Sequence, residues 1–185
     1  MESQPVKYPL GALSQIEAKT FGEPGHRTFQ LAGESGAAYC AVWLEKEQLF
    51  QLAVYLQDAI QSLSEEDRQQ PSQPREAEWT GGEASIEFKA AQLMLSHDKP
   101  TNSFFLLAYE GESGEEDESR EGDEPSSEVN SVSFWMTTSQ AGTLAEEALR
   151  ICAAGRPRCF LCSLPIDPEG HVCPRSNGHT VFEAG

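Results

Sequence analysis

Four side chains that favour soft metals fall within residues 159–173, CFLCSLPIDPEGHVC: Cys159, Cys162, His171 and Cys173. A gap of two residues lets one tight turn bring both sulfurs of the first pair to a single ion. His171 and Cys173 alternate, so on an extended chain they point to one side. Between the pairs, Asp167-Pro168-Glu169-Gly170 reads as a turn that folds the second pair back on the first. The expected product is a tetrahedral Cys3His site suited to zinc, with four protein ligands and no position left for a reacting water. His179, further along, is an alternative fourth ligand, although the shared strand face favours His171. A redox role for the C-x-x-C pair would need a thioredoxin-like βαβ setting, which the sequence does not provide. Structural zinc that folds a tail is therefore the expected chemistry.

The other cysteines, Cys40 and Cys152, lie in apolar segments and read as packing residues. A second candidate site is FGEPGHRTF. Here Gly22 and Gly25 can expose backbone amides at positive φ, and His26 and Arg27 add donors, which together suit an anion. The matching turn in the second half of the chain, SHDKPTN, has no glycine pair, and its adjacent His97 and Asp98 should diverge. No set of nucleophile, base and oxyanion donor can be assembled from the sequence. The expectation is a non-enzymatic zinc-binding adaptor or regulatory protein with a protein partner. The alternative is a small enzyme or sensor of an anionic, phosphorylated metabolite that uses the Gly22–Arg27 loop.

The chain matches itself. Ile16-Glu17-Ala18-Lys19 resembles Ile86-Glu87-Phe88-Lys89, and Phe29-Gln30-Leu31-Ala32 resembles Phe105-Leu106-Leu107-Ala108. The run from Val42 lies over the run from Phe134 without a gap, pairing Trp43 with Trp135 and Gln48 with Gln140. This order argues for an internal duplication. Apolar segments near Ser14–Phe21, Thr28–Ala32, Ala38–Leu44, Ala84–Leu95, Ser103–Glu110 and Val129–Thr137 are predicted strands. Leu49, Leu52, Leu56, Ile60 and Leu63 recur at helical spacing, as do Ala141, Leu144, Ala145, Ala148 and Cys152. The second helix has Thr138 or Ser139 as a predicted N-cap and an end at Gly155. The expected fold is α+β: tandem β-β-β-α repeats joined into a pseudo-twofold antiparallel sheet with two helices, plus a C-terminal zinc-knuckle tail. The first repeat covers 1–63, a linker 64–82, the second repeat 83–155 and the tail 156–185.

Thirty acids against 13 bases give a net charge of −17, which disfavours nucleic acid and anionic membranes as partners. The opening residues MESQPVKYPLGALSQ have no leader pattern, no apolar run is long enough to span a bilayer, and a cytoplasmic location is expected. Nine of the acids and one arginine sit in 111–128, read as a disordered acidic loop.

Three stretches, FGEPGHRTFQLA, the W-L-E-K-E-Q-L run from Trp43, and CFLCSLPIDPEGHVCPRSNGH, resemble the uncharacterised bacterial repeat-protein family called domain of unknown function 3090. The resemblance spans nearly the whole chain. It implies a repeat architecture and a metal-binding tail and names no substrate. Family members are often encoded beside a phosphoinositide-kinase-like and a histidine-phosphatase-like protein, which implies a shared pathway. Ser163 stands where the family pattern usually has glycine.

Overall fold

The computed structural model describes residues 5–23, 25–111, 129–154, 159–164, 166 and 170–175. The elements are β1 (Tyr8–Ala12), β2 (Gln15–Phe21), β3 (Thr28–Ser35), β4 (Ala38–Leu44), α1 (Lys46–Gln61), α2 (Glu65–Gln69), β5 (Ala84–Asp98), β6 (Ser103–Glu110), β7 (Ser131–Thr137) and α3 (Thr138–Ala153). All six predicted strands are present, and the described residues form a mixed α+β fold with one seven-stranded sheet and three helices. The extra strand, β1, was hidden by its own sequence, YPLGA: Pro9 cannot donate to a ladder and Gly11 sits at φ +69°. The third helix, α2, is capped by Ser64, whose hydroxyl accepts the Asp67 N–H. The N-cap of α3 is Thr137, one residue before the predicted position, and the helix ends at Ala153.

Strand order is β1-β7-β6-β5-β4-β3-β2. Neighbours within β2-β3-β4 and within β5-β6-β7 are antiparallel, but β4 runs parallel to β5 and β1 parallel to β7. This corrects the expected antiparallel sheet. The physical reason is the crossover: α1 and the segment after it carry the chain back before β5 begins, so β5 starts in the same sense as β4.

The sheet closes on itself. At about 4.8 Å per strand, seven flat strands would leave β1 and β2 roughly 29 Å apart. Yet only Leu13 and Ser14 separate them in the chain, a reach of about 10 Å. The Leu13 N–H donates to the Trp135 carbonyl of β7 (3.0 Å), and the Ser14 N–H donates to the Glu34 carbonyl of β3 (2.8 Å). β1 and β2 thus form one bent strand with β7 on one side and β3 on the other. β5 does the same work across the molecule, pairing with β4 through Lys89 and with β6 from Ala90 onward.

A glutamine locks each crossing to a helix start. Gln48 accepts the N–H of the N-cap Glu45 at 2.8 Å and donates to the Ala90 carbonyl at 3.2 Å. Gln140 accepts the N–H of Thr137 at 2.9 Å and donates to the Leu13 carbonyl at 3.0 Å. Each is the reciprocal partner of a capping box. α1 and α3 pack against each other, and Leu49, Leu52, Leu56, Leu144, Ala148 and Ile151 join Phe29, Leu31, Val42, Phe88, Phe104 and Phe134 in one core cluster. Cys40 and Cys152 are buried in that core, as expected; burial pushes the Cys40 thiol up to about 11 and raises Cys152.

The segment expected to be a linker is an ordered strap. The Ser72 hydroxyl donates to the Asn102 carbonyl (2.6 Å), the Gln73 N–H to the Thr101 carbonyl (2.8 Å), and Arg75 forms a bidentate pair with Asp98. Further along, the Ala12 N–H donates to the Glu76 carbonyl (3.1 Å) and the Trp79 N–H to the hydroxyl of fully buried Ser35 (2.9 Å). Arg75 holds the Asp98 carboxyl below the usual carboxylate range, with the Thr101 hydroxyl adding to the effect.

Asn102 ties strap and α2 to the sheet. It is 3% exposed at φ +46°, and its amide donates to the carbonyls of Asp67 (2.8 Å) and Gln70 (3.0 Å). Asn102→Ala leaves two carbonyls without their donor and places a Cβ-bearing residue without local compensation in the left-handed region, so a loss of about 2–4 kcal/mol is expected in chemical denaturation.

Among the described residues, β6 and β7 pair up to Tyr109–Ser131, and the Glu110 N–H donates to the Asn130 carbonyl at 2.8 Å. Of the acidic loop, 111–128, residues 112–128 lie outside the described residues. Because the hairpin is fully bonded on both sides of it, replacing 112–128 with a short turn is expected to change stability by less than about 1 kcal/mol, read from the denaturant midpoint.

Candidate metal centre

After α3, the chain forms a compact turn at Cys159–Leu164. The Ser163 N–H donates to the Cys159 carbonyl and the Cys159 N–H to the Leu164 carbonyl, both at 2.8 Å. Ser163 takes φ +60° here, a left-handed conformation in which only a residue without Cβ carries no steric penalty. Gly170, at φ +112°, precedes His171 and Cys173 on the returning segment, which is not a strand beyond a single bridge at Gly170.

This fold brings the ligand atoms of Cys159, Cys162, His171 and Cys173 within 4.8 Å of one another. The Cys159 and Cys173 sulfurs are 3.8 Å apart, and the Cys162 sulfur lies 3.0 Å from Nε2 of His171. Tetrahedral zinc with bonds of about 2.3 Å sets its sulfurs roughly 3.8 Å apart, whereas a disulfide needs about 2.05 Å. The Cys159 and Cys173 sulfurs therefore sit at metal-ligand spacing. The backbone amides of Cys162 and then Leu161 favour the Cys159 thiolate and draw its pKa down to about 6. Burial acts the other way on Cys162 and raises it. The cluster could hold a metal ion. His179, the alternative ligand, lies outside the described residues. Phe160, Leu164 and Val172 point outward around the centre, Phe160 being 92% exposed.

The glycine turn takes part of its expected form. Gly22 and Gly25 adopt φ +94° and +93°, Pro24 lies outside the described residues, and His26 is exposed. The His26 N–H is spent inside the turn on the Glu23 carbonyl at 2.9 Å. Two polar atoms beside this turn are buried and have no hydrogen-bond partner among the described residues: Nε of Arg27 and Oγ1 of Thr20. Thr20 carries no sequence signal, since a lone threonine in a strand is ordinary.

At the matching turn His97 and Asp98 do diverge. Asp98 pairs with Arg75, while the His97 ring lies 4.7 Å from Phe104 and its Nε2 is 3.4 Å from Oδ1 of Asn102. The Asn102 amide nitrogen is already donating, so its oxygen accepts and Nε2 carries the proton. His97 also lines a polar cleft of about 610 Å³ with Tyr55, Asp58, Asp67 and Lys99. That cleft escaped the sequence reading because its walls come from α1, α2 and the β5–β6 turn.

Among the described residues no helix is long and apolar enough to cross a membrane. Closed sheet, strap and Cys3His cluster together define a mixed α+β protein with a candidate metal site at its C-terminal end. The chain belongs to the family described as Protein of unknown function (DUF3090), which it matches over residues 8–173. Comparison with curated proteins and with solved structures gives no match.

Proposed function

We propose that the protein is a zinc-binding, non-enzymatic adaptor or regulatory protein built from two β-β-β-α repeats. The observation that carries the metal reading is the convergence of four protein ligands within 4.8 Å. Three thiolates and one imidazole complete a tetrahedron, so the ion would hold the tail and not activate water. Zinc at this site would be ligated by Cys159, Cys162, His171 and Cys173. Cobalt substitution tests this: a tetrahedral thiolate spectrum indifferent to added azide is expected, and a spectrum shifted by azide would indicate an open, catalytic position.

The repeat reading is supported by like junctions. Both parallel pairs, β4–β5 and β7–β1, join the last strand of one trio to the first of the other, as a pseudo-twofold along the axis of a closed sheet requires. Gln48 and Gln140 perform one task at two equivalent crossings. Gln30 pairs with Trp43 and Phe105 with Trp135, so Phe29 corresponds to Phe104, one residue away from the sequence match. Likewise Ile16, opposite Gly33, corresponds to Leu93, opposite Ala108, in place of Ile86.

Exposed Phe160, Leu164 and Val172 are the surface proposed to meet a protein partner. Co-purification with the intact protein but not with Phe160→Ser is the expected result, and equal recovery with both would reject this surface.

A further inference from the structure

We infer that the free edge of β5, from Leu93 to His97, takes up an extended peptide with a basic end from a partner protein, laid as an added strand in the groove beside α1. β5 gives its first half to β4 and its second half to β6. Beyond Lys89 it therefore has a neighbour on one side only, because β4 ends at Leu44. The Glu110 N–H donates to the Asn130 carbonyl on the β7 side, so by alternation Tyr109, Leu107 and Phe105 bond toward β5. Their partners there are Gln92, Met94 and Ser96. The main-chain N–H and C=O groups of Leu93, Leu95 and His97 point the other way, and among the described residues none meets a partner. A row of unpaired main-chain groups is a template for one more strand.

Space for that strand is present. A hollow of about 410 Å³ lies between Leu52 and Tyr55 of α1 and Ala91, Leu93 and Leu95 of β5. Tyr55 also lines the polar cleft of about 610 Å³, so the two meet there and run on past Asp58, Asp67 and His97. α1 accompanies β5 from Gln48, bonded at Ala90, to Ser62. That stretch of helix rises about 21 Å, which matches about six residues of extended chain. The walls define the occupant. Leu52, Leu93 and Leu95 suit apolar side chains at one end, and at the other Asp58 and Asp67 outweigh Lys99 and favour a lysine or arginine. A second copy would bring one chain of net charge −17 against another, which disfavours it as the occupant. The other half of the molecule shows such an edge closed from within. In the two-repeat reading, on which this comparison rests, Leu95 corresponds to Ala18 and Tyr55 to Glu147. The Ala18 N–H approaches the Glu147 carboxylate at 3.5 Å, whereas Tyr55, 51% exposed, offers Leu95 no carboxylate.

Residue-specific hydrogen exchange on the full-length protein tests this, with a capped peptide of alternating valine and threonine carrying two lysines at each end as the probe. Protection is expected to rise at least tenfold at the Leu93, Leu95 and His97 amides, while those of Gln92, Met94 and Ser96, already bonded to β6, keep their rates. Tyr55→Glu, which supplies the carboxylate found in the other half, is expected to weaken peptide binding at least tenfold. Should that variant not fold, Asp58→Lys, at an exposed position of α1, is expected to weaken it by a similar factor. Phe160→Ser should bind the peptide as the wild type does, so this edge and the surface at the knuckle stand or fall separately. Peptide binding without the alternating protection would be diffuse attraction to an acidic protein and overturns the assignment. Protection that appears without peptide and grows with protein concentration would make the occupant a second copy and overturns it equally. Absence of binding by the lysine peptide does the same.

Discussion

Cys159→Ser combined with Cys173→Ser is expected to lower zinc affinity by about ten-thousandfold and leave the melting of the sheet unchanged. Structural zinc in small sites is worth about 10–16 kcal/mol near neutral pH, so removing two of four ligands costs roughly 5 kcal/mol or more. Neither cysteine belongs to the core cluster of the closed sheet, which is why the two effects separate. Competition with a chromophoric chelator measures the first and calorimetry the second; a double variant that keeps wild-type affinity would dismiss these ligands. The pH dependence has a definite sign. Metal requires thiolates, and the Cys162 thiol is raised by burial, so binding expels its proton throughout the neutral range. Affinity should therefore climb about tenfold per pH unit for each proton released. Cys159, held near 6, adds to this slope only below that pH, because above it the thiolate is already formed.

Gly11→Ala should be the most damaging single exchange in the body. Gly11 lies at φ +69°, and a Cβ there would overlap the Ala77 carbonyl oxygen of the strap. The left-handed backbone costs about 1–2 kcal/mol with a side chain, and the overlap with main chain has no flexible group to absorb it. A total loss of about 4 kcal/mol or more is expected, equivalent to a fall in Tm of roughly 10 °C for a domain of this size. Gly82→Ala is the control, since nothing lies within 4 Å of its added Cβ; it should change stability by less than about 0.5 kcal/mol. Equal behaviour of the two variants would show that the strap does not press on β1.

The two helices and six of the strands were legible because each buries a periodic apolar stripe or a continuous apolar run that local spacing reveals. Leu49, Leu52 and Leu56 announced α1, and the continuous apolar run AYCAVWL announced β4. The metal ligands were legible for a related reason: a small ion forces its donors to be close, and close donors on a short turn leave a fixed spacing. Pairing direction was not legible, since alternation of side chains is the same in parallel and antiparallel strands. The strap was missed because its order comes from backbone groups meeting Thr101, Ala12 and Ser35, residues remote in the chain. Gln48 and Gln140 were matched as letters; only the crossings at Ala90 and Leu13 supply the reason for the match.

Closure by the bent β1–β2 strand also sets a timetable for synthesis. Tyr8 finds its neighbour only when Val132 has been made. At about 5–20 residues per second, that partner arrives roughly 6–25 s later. β2 can join the β2-β3-β4 meander early, but β1 must wait with its ladder unpaired. Until then the sheet is open along β1, a state in which nascent chains on neighbouring ribosomes can exchange that strand.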